Sequence, residues 1–242
     1  MSKDPTDFYD WLRSLSNNNV HYFLEGGQAV NIWAYKYVEE NTKLRDYFPF
    51  TSKDCDICID SDAFKRISTI LNGSFIRSNS PSDGQLGMII SEDNDLTLDL
   101  LSNVFGLNLD ELRRVENRVM EIQDIKIIDP LYLFKGKCHN LVNLPQTDRN
   151  DRKHVLMLSL IIPEYLNSFL KALHEDTHLN PRELIKEIKL LLNFQKDHCV
   201  RRVMESLDIT FKNMIPLDHL STSKSDLICK YTENSLLPLF RM

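Results

Sequence analysis

Two aspartates separated by one residue, Asp54-Cys55-Asp56, open a stretch (54–60, DCDICID) that alternates acidic and apolar side chains with period two. That alternation predicts a half-buried strand, on which residues two apart face the same side, so both carboxylates project together. Carboxylates held at close range resist joint ionisation unless a cation sits between them. Hard oxygen donors of this kind favour Mg²⁺ or Mn²⁺. Asp99 is a third acid, set in the otherwise apolar run Leu96-Thr97-Leu98-Asp99-Leu100-Leu101. An acid inside an apolar strand is expensive to bury without a partner. If the two strands are neighbours, three carboxylates converge on a site for two divalent ions. Such a site can activate a hydroxyl, orient a triphosphate and stabilise pyrophosphate as it leaves. The plainer alternative is a solvated strand face.

Groups that could meet phosphate lie on either side. Gly26-Gly27 falls between a short strand (21–24) and a helix (27–39), where bare backbone approaches a phosphate closely and the helix start offers unpaired N–H groups. Lys135-Gly136-Lys137 lies early in a helical region and is followed by Arg149, Arg152 and Lys153. These cations suit phosphate, or simply a solvated helix face.

The elements that must position these residues follow from periodicity. Phe8, Trp11, Leu12 and Leu15 predict a helix over 5–16. After the 54–60 strand come a short helix (62–71), a polar loop (72–84), strands at 86–90 and 96–101 joined by a turn at 92–95, and a weaker fifth strand at 121–128. From Asp129-Pro130 onward only helical periodicity is visible. Asn180-Pro181-Arg182-Glu183 is a well-formed helix start, with Asn as cap, Pro in the first turn and an apolar stripe of Leu184, Ile188 and Leu191/Leu192 behind it. The expected architecture is α+β: a mixed β-sheet with flanking helices over 1–129, then an all-helical domain over 130–242.

Composition narrows the classes. The chain has 242 residues, 42% hydrophobic and 26% charged, with seven Gly and nine Pro, which excludes disordered and low-complexity architectures. Its net charge of −6 excludes coating nucleic acid by charge alone. The two halves differ: residues 1–129 hold 13 basic and 22 acidic side chains, and residues 130–242 hold 16 and 13. That asymmetry suits a metal-using site beside a surface that meets a polyanion. Five cysteines without framework spacing read as reduced thiols, and neither a secretory signal nor a 20-residue apolar run is visible, so a cytoplasmic protein without a membrane span is expected.

Taken in order, these motifs resemble the nucleotidyltransferase superfamily, in the branch of the AbiEii-type toxins and related uncharacterised bacterial proteins. The residues that carry the resemblance are Gly26-Gly27, Thr51-Ser52-Lys53-Asp54-Cys55-Asp56 and Leu98-Asp99-Leu100-Leu101 with Val104-Phe105-Gly106-Leu107. It continues through Asp129-Pro130-Leu131, Lys137, Asn140-Leu141 and Arg149-Asn150-Asp151-Arg152-Lys153-His154, covering about residues 20–165. It implies a nucleotidyltransferase-like sheet and transfer of an NMP from an NTP to an acceptor hydroxyl. That acceptor would be an RNA or tRNA 3′ end, or a protein side chain. The implied setting is a toxin–antitoxin or anti-phage system, with a cognate antitoxin or defence partner. By the same resemblance Gly26 and Gly27 would contact the nucleotide phosphates, and Asp54, Asp56 and Asp99 would hold Mg²⁺ or Mn²⁺. Asp99 would also help deprotonate the acceptor, and Lys137, with Lys135 as fallback, would meet the triphosphate. Two departures stand out: an inserted segment at about 39–50, and Cys55 in place of the usual aliphatic residue.

A module of the same fold that binds nucleotide without turnover, acting as a regulatory or antitoxin-like partner, is the alternative from another class. Three further signals compete. His174-Glu175-Asp176-Thr177-His178 matches the zinc-protease signature H-E-x-x-H, but a new helix starts just beyond it, so the motif straddles a helix end. Cys55 and Cys58 are three apart on a strand and face opposite sides. Cys138-His139 and His198-Cys199 are adjacent pairs without partners at zinc-finger spacing and read as core or surface residues.

Overall fold

The computed structural model describes residues 2–60, 62–78, 84–91, 96–176 and 179–241. Its sheet is built from β1 (Tyr22–Glu25), β2 (Cys55–Ile59), β3 (Ser74–Arg77), β4 (Gln85–Ile90), β5 (Thr97–Leu101), β6 (Met120–Ile122) and β7 (Ile125–Ile127). These lie in the order β3-β4-β5-β2-β1-β7-β6. β2 pairs parallel with β5 and β1 parallel with β7, and the other neighbours are antiparallel. The protein is therefore α+β with a mixed sheet. In the central strand β2, Cys55, Ile57, Cys58 and Ile59 are all buried, so side chains on both faces of the sheet are covered.

β1 runs directly into α2 (Gly26–Tyr37), ten of whose twelve residues are buried. A helix apolar on nearly every side belongs at the centre of a fold. α2 lies between β2 and two helices from the second half, α5 (Pro130–Asn143) and α6 (Asp151–Glu175). The Trp33 indole donates to the Ile128 carbonyl at 2.9 Å and meets the edge of Tyr165 on α6. α1 (Tyr9–Asn17) packs on α3 (Phe64–Leu71), and α4 (Leu109–Glu116) starts with a reciprocal Asn108/Glu111 cap.

The change from strands to helices occurs at Asp129, whose carboxylate accepts from the Leu131 and Tyr132 N–H groups at the head of α5. Arg118 ties the same carboxylate to Glu187 on α7 (Pro181–Asn193). Apolar packing runs unbroken across this junction, which has no linker character. α7 starts as its sequence implies, with Asn180 accepting from the Arg182 N–H at 3.0 Å and Leu184, Ile188 and Leu191 buried. α8 (His198–Leu207), α9 (Phe211–Met214), α10 (Leu217–Ser221) and α11 (Asp226–Tyr231) follow. Among the described residues, α6 alone is long and apolar enough to cross a membrane, and half of its most apolar stretch is buried against its neighbours.

Two elements differ from expectation. Ser74–Arg77, placed within the 72–84 loop, is edge strand β3; it buries little, so no apolar alternation marks it. The single strand expected at 121–128 is the β6–β7 hairpin. It turns on Gln123 and Asp124, both at positive φ, a pair without glycine and hence without an obvious turn signal. The turn expected at 92–95 and residues 79–83 of the loop lie outside the described residues.

Candidate active site

Register brings the acids together. Asp56 is the direct partner of Asp99 across β2 and β5, and of Glu25 across β2 and β1. Asp54, one residue before β2, completes a group with Asp56 and Asp99 whose carboxylate oxygens lie within 4.8 Å of one another. Convergence of the three carboxylates thus follows from strand order, which no local pattern specifies.

Glu25 is a fourth acid at this place. It ends β1, caps α2 by accepting from the Gly26 N–H at 2.9 Å, and faces Asp56. Gly26 has φ +69°, and a Cβ there would stand 1.8 Å from Asp56 Oδ2. A Cβ on Gly27 would fall 2.5 Å from Ser52 Oγ and 3.1 Å from the His154 ring. The two glycines therefore let α2 start directly against the carboxylates, with its positive dipole end towards them.

The opposite wall comes from α5 and α6. Lys137 Nζ lies 3.3 Å from Asp151 Oδ1, and Arg149 Nε lies 2.6 Å from Asp151 Oδ2. Burial alone would raise the Asp151 carboxyl, but Lys137 and Arg149 outweigh it and hold the pKa below its usual value. Between the walls is a cavity of about 190 Å³, lined by Gly27, Asp54, Asp56, Asp99, Lys137 and Arg149, among others. A second, of about 290 Å³, opens on the other side of Asp56 and Asp99 towards Gly26, Phe105 and Asn140.

Burial and like charge set the electrostatics of the acids. Burial, then the charges of Asp54 and Glu25, push the Asp56 carboxyl well above the usual carboxylate range, against the pull of Lys137. Burial likewise raises Glu25. Lys137 and Arg149, which face these acids, also pair with Asp151. A donor set made wholly of carboxylate oxygen fits a hard divalent ion such as Mg²⁺ or Mn²⁺.

Of the residues expected from sequence, Gly26, Gly27, Asp54, Asp56, Asp99 and Lys137 come together here. Lys135 does not join them. Two residues from Lys137 on α5, it projects to another face of the helix, where its Nζ is 2.7 Å from both Glu111 carboxylate oxygens. Sequence reasoning missed Glu25, Ser52 and His154. Ser52 is held by a two-way backbone bridge to Lys3 and donates to Asp54 at 3.4 Å. His154 is buried in the first turns of α6 with neither ring nitrogen hydrogen-bonded, and burial, then Lys137, lowers its pKa to about 3. Glu25 left a signal as the acid immediately before the glycine pair, while Ser52 and His154 fall within the motifs that carry the resemblance but were given no role of their own.

His174 ends α6, where it accepts from the Lys224 N–H and contacts the Ser223 hydroxyl; His178 lies outside the described residues. A larger cavity of about 660 Å³, near His21, Cys58 and Lys126, contains none of the expected site residues. Comparisons with protein-family models, with curated proteins and with solved structures find no match to this chain.

Proposed function

We propose that this protein is a metal-dependent nucleotidyltransferase that moves an NMP unit from an NTP to an acceptor hydroxyl. The observation that carries the reading is the pairing of Asp56 with Asp99, with Asp54 in reach, on the floor of a cavity whose walls are a helix start and two cations. Bound divalent metal would supply Lewis-acid stabilisation of the transferring phosphoryl group and of the departing pyrophosphate. Asp99 takes the acceptor's proton as its oxygen forms a bond to the α-phosphorus. The bond from that phosphorus to the bridging oxygen breaks, and pyrophosphate leaves. The α2 start at Gly26-Gly27, with Lys137 and Arg149 opposite, binds and orients the triphosphate.

The resemblance to AbiEii-type toxins points to an RNA or tRNA 3′ end, or a protein side chain, as acceptor in a toxin–antitoxin or anti-phage setting. The mildly basic second half favours RNA. The test is radiolabel transfer: protein, Mg²⁺ and each α-labelled NTP are incubated with total cellular RNA and, separately, with extract protein. An Asp54→Ala/Asp56→Ala double variant is the control. Label entering one pool and lost in the double variant is expected. Full activity in that variant would overturn the metal assignment, and Mg²⁺-dependent NTP binding without product would move the protein to the silent binding module.

A further inference from the structure

The two Cys-His neighbours, unremarkable singly, are brought together by the fold. α5 and α8 pack against each other, and His139 Nε2 on α5 lies 3.0 Å from each carboxylate oxygen of Asp197, the residue that caps α8. Cys199 completes a group in which one donor atom from each residue lies within 4.8 Å of the other two. We propose that His139, Asp197 and Cys199 bind a zinc ion that fastens α8 to α5, apart from the acidic site.

The donor set is imidazole nitrogen, carboxylate oxygen and thiolate sulfur, a mixture suited to a borderline-soft ion and unlike the all-oxygen Asp54 cluster. Tetrahedral zinc, about 2.0–2.3 Å from each ligand, holds its donor atoms roughly 3.3–3.7 Å apart, within small side-chain rotations of the separations here. The backbone arranges the ligands in advance. Asp197 Oδ1 accepts from the Cys199 and Val200 N–H groups at 2.9 and 3.2 Å, which leaves Oδ2 to face a metal. Cys199 sits in the first turn of α8, two residues after the cap. The Asn143 amide donates to Cys199 Sγ at 3.4 Å and to the His139 carbonyl at 3.0 Å, an outer contact that orients the sulfur. Lys135 Nζ is 3.6 Å from Asp197 Oδ2 but is held more closely by Glu111, so it shares the region without filling the ligand position. The His139 and Asp197 side chains are about one-fifth exposed, which leaves the ion a route in and an open fourth position.

The test is Co²⁺ titration of the metal-stripped full chain, read by near-ultraviolet thiolate-to-cobalt charge transfer. The expected result is a saturable band, displaced by Zn²⁺, that reaches its plateau at one Co²⁺ per chain once the acidic site is removed by Asp54→Asn/Asp56→Asn. It should survive in His174→Ala and in Asp54→Asn/Asp56→Asn, and vanish in Cys199→Ser with an unchanged circular dichroism spectrum. Asp197→Asn keeps the cap acceptor while removing the charge, and should weaken Co²⁺ binding more than about tenfold. No thiolate band in the wild type, or an undiminished band in Cys199→Ser, would overturn the proposal. Neither result bears on nucleotide transfer.

Discussion

Asp56 and Asp99 stand directly opposite each other in the parallel pairing of β2 and β5, two carboxylates fixed by backbone register. With Asp54 and Glu25 beside them, the metal-free protein confines four acids to one place, and burial together with this like charge raises the Asp56 pKa. Neutralising one acid should therefore stabilise the metal-free fold while removing a metal ligand. Asp56→Asn is expected to raise the metal-free melting temperature by roughly 2–4 °C, about 1 kcal/mol for a chain of this length. Mg²⁺ should raise the wild-type melting temperature and not the variant's, and label transfer should be lost. Calorimetry with and without Mg²⁺ checks this; a lower melting temperature for metal-free Asp56→Asn would contradict the electrostatic account.

Gly26 is held at φ +69° with Asp56 Oδ2 where its Cβ would be. Gly26→Ala adds left-handed strain of about 1–2 kcal/mol and must also displace the carboxylate. We expect Mg²⁺ affinity and label transfer to fall at least about tenfold, equivalent to 1.4 kcal/mol or more. Isothermal titration with Mg²⁺ provides the check, and wild-type affinity in Gly26→Ala would show that the close approach is unimportant.

Lys135 and Lys137 are neighbours in sequence with different partners. Lys137→Met is expected to raise the KM for NTP at least about tenfold, because a cation facing the cavity is lost. Lys135→Met should leave KM and kcat unchanged and lower stability by about 1–3 kcal/mol, since it strips Glu111 of its partner. Steady-state kinetics and urea unfolding on both variants separate these effects. Equal changes in KM would mean that both lysines reach the nucleotide.

His154 gives the fold an acid-sensitive point. It stays neutral in the native state down to about pH 3, because burial and then Lys137 oppose its protonation. The unfolded side chain titrates near pH 6.5, so between these values the unfolded chain binds more protons and stability falls as pH falls. From pH 7 to 5 the loss attributable to His154 is about 2 kcal/mol, and His154→Gln should flatten that limb. Urea unfolding at several pH values measures it; an identical acid limb in the variant would show that His154 is protonated in the native protein.

Much of the scaffold was legible because it is written in local patterns. The period-two run at 54–60, the apolar strand around Asp99, the glycine pair at a strand–helix junction and the capped start of α7 each carry their cause within a few residues. β3 was not legible, because an edge strand with little burial leaves no periodic trace, and the β6–β7 hairpin was read only as one weaker strand over 121–128, because two three-residue strands carry little periodicity. The zinc ligands were hidden for another reason: His139 and Asp197 are 58 residues apart and meet only when α5 packs on α8.

The sequence by itself determined which groups were available: paired carboxylates on one strand face, a third acid in an apolar strand, glycines beside a helix start and two lysines on one helix. Tertiary structure decided which of them meet. Strand order set Asp56 between Glu25 and Asp99, and the packing of α5 and α6 on α2 turned Lys137 to the cavity and Lys135 towards Glu111. Local patterns record which side of an element is apolar. Which elements those sides pack against is settled only by burying all of them in one core.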